Sequence, residues 1–357
     1  MYTEISPEKV LSALGEDDIS ERPWSVRWDS APAELDVLAE LPTVVDLTTS
    51  GSTGSARTWR RTREQLWNEA GLLADLLAPY RPEALLAFAP PRHIYGFLTT
   101  LLVPARMGIP VWYRPSFFGE MPPPQGRRWA VTAIPWAFSL LNRRPEWAGE
   151  TAGLTVLHST ATLPSTASEV LHGTSPDRAR IIEVFGSTET GGVATRVWDG
   201  AGEPWTLMED VEFDFESPTA DDEVELAVRS PRLAAPPEGP WPVSTVLDDL
   251  VTPEGDRHFR FAGRRHRLVK VNGRRFDLDE LGEQLRASRA CEDAVCVPVT
   301  DPLIGEHFDV LLVPRDGSSG DDQQTRSALA RLQVRPRRVH VVESIDRTET
   351  GKVRRFT

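Results

Sequence analysis

The stretch LPTVVDLTTSGSTG, residues 41–54, runs from an apolar segment into a loop made almost wholly of Ser, Thr and Gly, and Arg57 follows shortly after. A strand that ends in glycines and small hydroxyl-bearing residues lets backbone N–H groups and side-chain hydroxyls come close to an anion, as a phosphate cradle requires. The phosphate-loop pattern GxxxxGK[ST] of nucleotide hydrolases is absent. Taken alone, such a loop is equally a plain flexible turn. What lies around it has to decide.

Outward from that loop the chain reads as alternating helices and strands. RTREQLWNEAGLLADLLAPY puts Leu66, Ala70, Leu73 and Leu77 on one helical face, and EALLAFAP is a short apolar strand. HIYGFLTTLLVPARMG predicts a buried helix, PVWYR and RWAVTAI strands, PWAFSLLNRR a helix, and LTVLHS and RIIEVF strands ending at loops rich in Ser and Thr. The alternation implies βα units and a largely parallel sheet, with ligands outside the carboxyl ends of its strands. VEFDFE, EVELAVRS and RHFRFAG alternate at period two and predict a small β subdomain over about 197–262. Beyond Gly263 comes a compact tail with strands at HRLVKVNG, DAVCVPV, DVLLVP and RRVHVVE and helices near 278–288 and 322–333. The expected class is α/β, α+β overall, with a large domain over 1–262 and a C-terminal domain over 263–357.

Composition narrows the function. The 357 residues are 40% hydrophobic and 26% charged, ordinary for a soluble globular chain. No apolar run reaches membrane-spanning length, and the acidic N-terminus lacks the pattern of a signal peptide, so the expectation is a cytoplasmic protein with no membrane partner. The net charge of −13 disfavours nucleic acid as a partner. Charge is nevertheless uneven: from Gly263 onward 18 Lys and Arg stand against 15 Asp and Glu, so that segment carries +3 and the rest −16. A basic module on an acidic body could meet an acidic or phosphorylated partner, or be solvated surface. Cys291 and Cys296 are expected as buried free thiols.

Six motifs then follow one another in order: TTSGSTG with Arg57, PPRHIYG, VFGSTETGG, the acidic pair of TVLDDL, GRRHRLVKVNGRRFDLDEL, and RTETGKVRR. The series resembles the adenylate-forming superfamily of acyl-CoA synthetases, peptide-synthetase adenylation domains and luciferases, from residue 46 to the end of the chain. Within it the HIYG, FGSTETGG and RLVK…GRRFDLDEL stretches look closest to the AMP-ligases of aryl polyene gene clusters. The resemblance implies that superfamily's fold, with a large N-terminal domain and a small mobile α+β C-terminal domain. Such enzymes join a carboxylate to the α-phosphate of ATP, release pyrophosphate, and pass the acyl group to a thiol. Charge neutralisation and positioning matter more there than a general base. Relatives carry well over a hundred residues before the Ser/Thr/Gly loop and this chain has 45 before Asp46. The large domain is therefore expected to be N-terminally shortened, its exposed edge covered by rearrangement or by a homodimer.

By the same resemblance Thr49, Ser50, Gly51, Ser52, Thr53 and Gly54 would wrap the β- and γ-phosphates. Arg57, in place of the usual Lys, keeps the charge and adds bidentate donors. Thr188 would sit near the α-phosphate and Glu189 on Mg²⁺, a hard cation suited to a carboxylate. Phe185 and Gly186 would lie beside adenine, although HSTATLP stands where the family has a Gly-rich turn on that side. The ribose ligand is Asp248 or Asp249; the spacing of 15 to Arg264 favours Asp249 with Arg264 as its partner. His266 occupies the domain hinge. Lys352 would bridge the carboxylate and the α-phosphate. His93 would line the acyl pocket, with Tyr95, Trp136 and Phe138 suggesting an aryl-sized space or plain core. The leading expectation is adenylation of an aryl or acyl acid and its transfer to a carrier protein or CoA, with ATP and Mg²⁺. Activation of nitrite to diazotise an aryl amine, and a non-catalytic scaffold, are the alternatives.

Overall fold

The computed structural model describes residues 2–13, 18–49, 57–159, 163–164, 166–174, 178–200, 202–215, 223–264, 267–271, 274–288, 290–301, 305–315, 322–347 and 353. The strands, in chain order, begin with β1 (Thr3–Glu4), β2 (Trp24–Val26), β3 (Val44–Thr49) and β4 (Arg57–Thr62). Then come β5 (Ala84–Ala87), β6 (Val111–Tyr113), β7 (Arg128–Ala133), β8 (Gly153–His158) and β9 (Ala179–Ser187). Strands β5 to β9 form a parallel sheet in the order β6-β5-β7-β8-β9. All four residues of β5 are buried, as expected of a parallel strand covered on both faces. Strand order reverses at β5, which pairs β6 on one side and β7 on the other, so the carboxyl ends of β5 and β7 flank a topological switch point.

The sheet continues through β10 (Gly191–Trp198), β11 (Trp205–Leu207), β12 (Glu212–Phe213), β13 (Val224–Arg229), β14 (Ser244–Glu254) and β15 (His258–Arg264). These are antiparallel and hydrogen-bond onward from β9 in the order β9-β10-β11-β15-β14-β13-β12. The period-two segments around 197–262 thus extend the main sheet instead of forming one of their own. At the opposite edge β2 pairs antiparallel with β6, and β1 pairs parallel with β2. Val10, Leu11, Trp24 and Val26 of this N-terminal segment enter the main core. Among the described residues the sheet has 13 strands and ends on two-residue strands at both edges, a length that limits further pairing.

Strands β3 and β4 form a separate antiparallel hairpin, with Thr49 opposite Arg57. The helix Arg63–Leu77 leaves β4 through a capping box: the Thr62 hydroxyl accepts from the Gln65 N–H at 3.2 Å, and the Gln65 side-chain oxygen accepts from the Thr62 N–H at 3.0 Å. Leu66, Ala70, Leu73 and Leu77 are all buried on its inner face. The HIYG run is helical from Ile94 to Met107, but Phe97–Leu102 is a π-helix between two α-helical pieces. Pro104 has no N–H to return to Thr100, and the Thr100 hydroxyl turns aside to Ala89 O at 2.8 Å.

A smaller C-terminal sheet domain is present. It contains the hairpin β16 (Leu268–Val271) and β17 (Arg274–Asp277), and a sheet of β18 (Asp293–Asp301), β19 (Gly305–Val313) and β20 (Val339–Val341) in that order. The helix Leu278–Ala287, capped by Asp277, packs Leu278, Leu281 and Leu285 with Ala294, Cys296, Phe308 and Val310 in a core separate from the main one. Both cysteines are free and buried in it, and burial pushes the thiols up, Cys291 to about 11 and Cys296 to about 12.

Candidate active site

The motif VFGSTETGG forms the tight turn between β9 and β10. Its tip is tied internally: Ser187 N–H donates to Thr190 Oγ1 at 3.0 Å, and Thr190 N–H donates back to Ser187 Oγ at 3.3 Å. Two glycines are sterically required. A Cβ on Gly186 would lie 2.1 Å from Gly191 O, and Gly191 has φ +70° and no room between Glu69 and Arg61. The turn therefore holds Thr188 and Glu189 partly exposed at the carboxyl end of β9, the side of a parallel sheet on which ligands bind.

Phe185 precedes the turn. Its half-buried ring is backed by Trp205 at 5.6 Å, Phe259 at 6.0 Å and Phe261 at 6.2 Å. Asp249 lies directly opposite Arg264 in the β14–β15 ladder and is buried, whereas Asp248 is exposed on the other face. The pair singled out by spacing is thus a cross-strand pair. Of the phosphate-loop residues, Thr49 ends β3 and Arg57 begins β4 with an exposed side chain. Ser50, Gly51, Ser52, Thr53, Gly54, His266 and Lys352 lie outside the described residues, as does the side chain of Arg264.

At the switch point beyond β5 and β7, Phe88 and Trp136 meet edge-to-face at 5.1 Å, and Phe117, from the segment after β6, lies 6.0 Å from Trp136. His93 is half-buried at the start of the HIYG helix, its carbonyl accepting from Phe97 N–H at 2.7 Å. Tyr95 and Phe138 are core. The Tyr95 hydroxyl donates to Leu157 O at 2.7 Å, and the buried Phe138 ring packs edge-on against His158.

Sequence reasoning missed the residues packed behind the Glu189 turn. Arg61 and Arg232 are fully buried, and both reach the buried carboxylate of Glu69, at 2.7 and 3.3 Å. One signal was available: Glu69 stands on the apolar face that also carries Leu66, Ala70 and Leu73, where a charge needs a partner. Among the described residues there is no group of three or more His, Cys, Asp and Glu side chains arranged to hold a metal.

No family model matches the chain. Over 154 residues it is 32% identical to a 4-coumarate–CoA ligase of Cereibacter sphaeroides, a stretch covering 42% of this chain and 36% of that one. Over 104 residues it is 28% identical to the probable CoA ligase CCL9 of Humulus lupulus, covering 28% of this chain and 20% of that one. These matches span well under half of the relatives' own lengths. Among solved structures, ATP-bound MatB from Rhodopseudomonas palustris superposes with a TM-score of 0.66 at 18% identity, over 87% of this chain and 66% of that one. The anthranilate CoA ligase AuaEII with anthranoyl-AMP gives 0.67 at 15% identity, over 87% and 65%. MenE of Bacillus subtilis, an O-succinylbenzoate CoA synthetase with ATP and magnesium, gives 0.66 at 16% identity, over 86% and 68%. At these identities the structural likeness is one of fold.

Proposed function

We propose that the chain is an adenylate-forming ligase, which adenylates a carboxylic acid with ATP and passes the acyl group to a thiol. The observation that carries this reading is the β9–β10 turn, which presents Thr188 and Glu189 at the carboxyl end of a parallel strand, with Gly186 letting the Gly191 backbone close tightly against it. A single partly exposed carboxylate suits Mg²⁺, which keeps water and substrate oxygens as its other ligands and would offset charge on the phosphates. Glu189 would hold that ion. Thr188 would face the α-phosphate, Phe185 the adenine, and Asp249 with Arg264 the ribose. The loop from Thr49 to Gly54 with Arg57 would take the outer phosphates, and Lys352 would bring its charge to the attacking carboxylate. Residues 1–262 would form the ATP- and acid-binding domain and 263–357 the lid carrying Lys352.

The aromatic group of Phe88, Trp136 and Phe117 at the switch point favours an aryl acid, and His93 would line its pocket. The acceptor would be CoA or the pantetheine arm of a carrier protein. The test is pyrophosphate exchange into ATP with Mg²⁺ and a panel of aryl and fatty acids, with nitrite as one further arm. Exchange dependent on one acid class is the expected result. No exchange and no AMP from folded protein across the panel overturns the ligase reading.

A further inference from the structure

Behind the Glu189 turn lies a buried ion cluster drawn from four parts of the chain. Arg61 comes from the inward face of β4, Glu69 from the helix that follows, Asp210 from the loop after β11, and Arg232 from the loop after β13. Glu69 uses both carboxylate oxygens: Oε2 meets Arg61 at 2.7 Å and Arg232 at 3.3 Å, and Oε1 accepts the Gly192 N–H at 2.6 Å. Arg232 donates to Gly192 O at 2.7 Å and to both oxygens of Asp210, at 2.6 and 2.8 Å. Both polar groups of the Gly192 backbone therefore end on this cluster, three residues from Glu189.

The loop that carries Arg232 completes the connection. Ala234 N–H donates to the Glu189 carbonyl at 2.8 Å, so the candidate metal ligand is itself held by its main chain. Ala235 exchanges both backbone hydrogen bonds with Arg60 on β4, at 2.8 and 3.0 Å. The Gln65 side chain, already part of the helix cap, donates to Pro231 O at 2.9 Å and Leu233 O at 3.2 Å. Residues 231–235 thus clasp the turn on one side and the β3–β4 hairpin on the other. Burial would push the Glu69 carboxyl up, but the two guanidinium groups outweigh it and hold it below the ordinary glutamate range, so it is ionised at neutral pH.

We propose that Glu69, Arg61 and Arg232 are positioning residues, locking the Thr188–Glu189 turn to the β3–β4 hairpin so that the Glu189 carboxylate is fixed for a Mg²⁺-bound nucleoside triphosphate. All three are buried behind the turn: Glu69 and Arg232 act through its Gly192 backbone, and Arg61 acts through Glu69. A charged cluster suits that task better than an apolar contact, because its hydrogen bonds specify direction as well as proximity. The inference rests on the ligase reading only in taking Glu189 as the ligand of the ion.

The test uses Arg61→Met/Glu69→Met, since replacing a buried ion pair with apolar side chains of similar size is often neutral for stability, and Arg232 keeps Asp210. Calorimetry measures ATP binding with Mg²⁺ and with EDTA, beside thermal melting and hydrogen exchange at Gly192. The expected result is a wild-type melting temperature, lost protection at Gly192, and a drop of about tenfold or more in affinity for Mg²⁺·ATP but under about threefold without Mg²⁺. Unchanged Mg²⁺·ATP affinity, or equal loss with and without the ion, overturns the proposal. If the double variant does not fold, Glu69→Gln removes only the charge. A loss of at least about threefold for Mg²⁺·ATP supports the proposal, and none overturns it. Wild-type protein that binds Mg²⁺·ATP yet exchanges no pyrophosphate overturns the ligase reading and leaves this test standing; wild type that binds no Mg²⁺·ATP overturns both.

Discussion

Asp249 and Asp248 are adjacent and chemically identical, yet the sheet separates them. In a strand successive side chains point to opposite faces, so only one of the two lies on the buried face of β14, and that one is Asp249, whose ladder partner on β15 is Arg264. A charge-assisted hydrogen bond to ribose is worth about 1.5–3 kcal/mol, so Asp249→Asn is expected to raise KM for ATP about tenfold or more. Asp248→Asn, on the exposed face, should stay within about twofold. Steady-state kinetics on the two variants decides it, and equal effects would remove the ribose assignment. The pairing of Asp249 with Arg264 across the ladder was legible because their spacing survives in the linear sequence. Glu69, Arg61 and Arg232 were not: their partnership spans 171 positions, from residue 61 to 232, and only the folded sheet brings them together.

Among the elements, the parallel strands were the most legible. Strands buried on both faces read as mainly apolar runs, as in ALLA of β5 and, apart from Thr155 and His158, LTVLH of β8. Strand β4 was not, because RTWRRT is polar and its inward Arg61 is made tolerable only by Glu69 on the next element. A similar pairing sits in the C-terminal sheet, and its pH behaviour can be tested. Asp309 on β19 accepts from Arg337 through both oxygens, at 2.9 and 2.7 Å, and from His340 on β20 at 3.1 Å when that ring carries its proton there. The Arg337 hydrogen bonds, with His340, hold its carboxyl down at about 2. A depressed carboxylate contributes stability above its unfolded value near 4, and that contribution is lost as pH falls through about 2. The shift corresponds to about 2 kcal/mol. Asp309→Asn should therefore melt lower than wild type at pH 5 to 7, with the difference closing as pH drops from about 4 toward 2. A constant difference across that range would show that the pair carries no linked proton.

For the whole molecule, the uneven charge gives a prediction about the acceptor. Residues from Gly263 onward carry +3 and the remainder −16, so an acidic carrier protein approaching the molecule is attracted by the C-terminal domain and repelled by the body. Not every arginine of that domain is available for docking. Arg267 is committed to Asp279 at 2.8 Å and to Cys296 O at 2.9 Å, and Arg337 to Asp309, so reversing either would test the fold. Arg335 and Arg338 are exposed on the segment leading into β20, and they are the residues to reverse. Attraction between separated surface charges is screened within about 8 Å at physiological ionic strength, whereas contacts inside a closed site are screened much less. Acyl transfer to a carrier protein should accordingly slow as salt rises from about 0.05 to about 0.5 M, while pyrophosphate exchange changes little. Arg335→Glu/Arg338→Glu should deepen the loss for the carrier, leave transfer to uncharged pantetheine near wild type, and flatten the salt dependence, because the steering field is then gone. Single-turnover transfer from the enzyme-bound adenylate to carrier, CoA and pantetheine separates the outcomes. If all three acceptors respond alike, the basic face does not dock a carrier and its charge serves solvation alone.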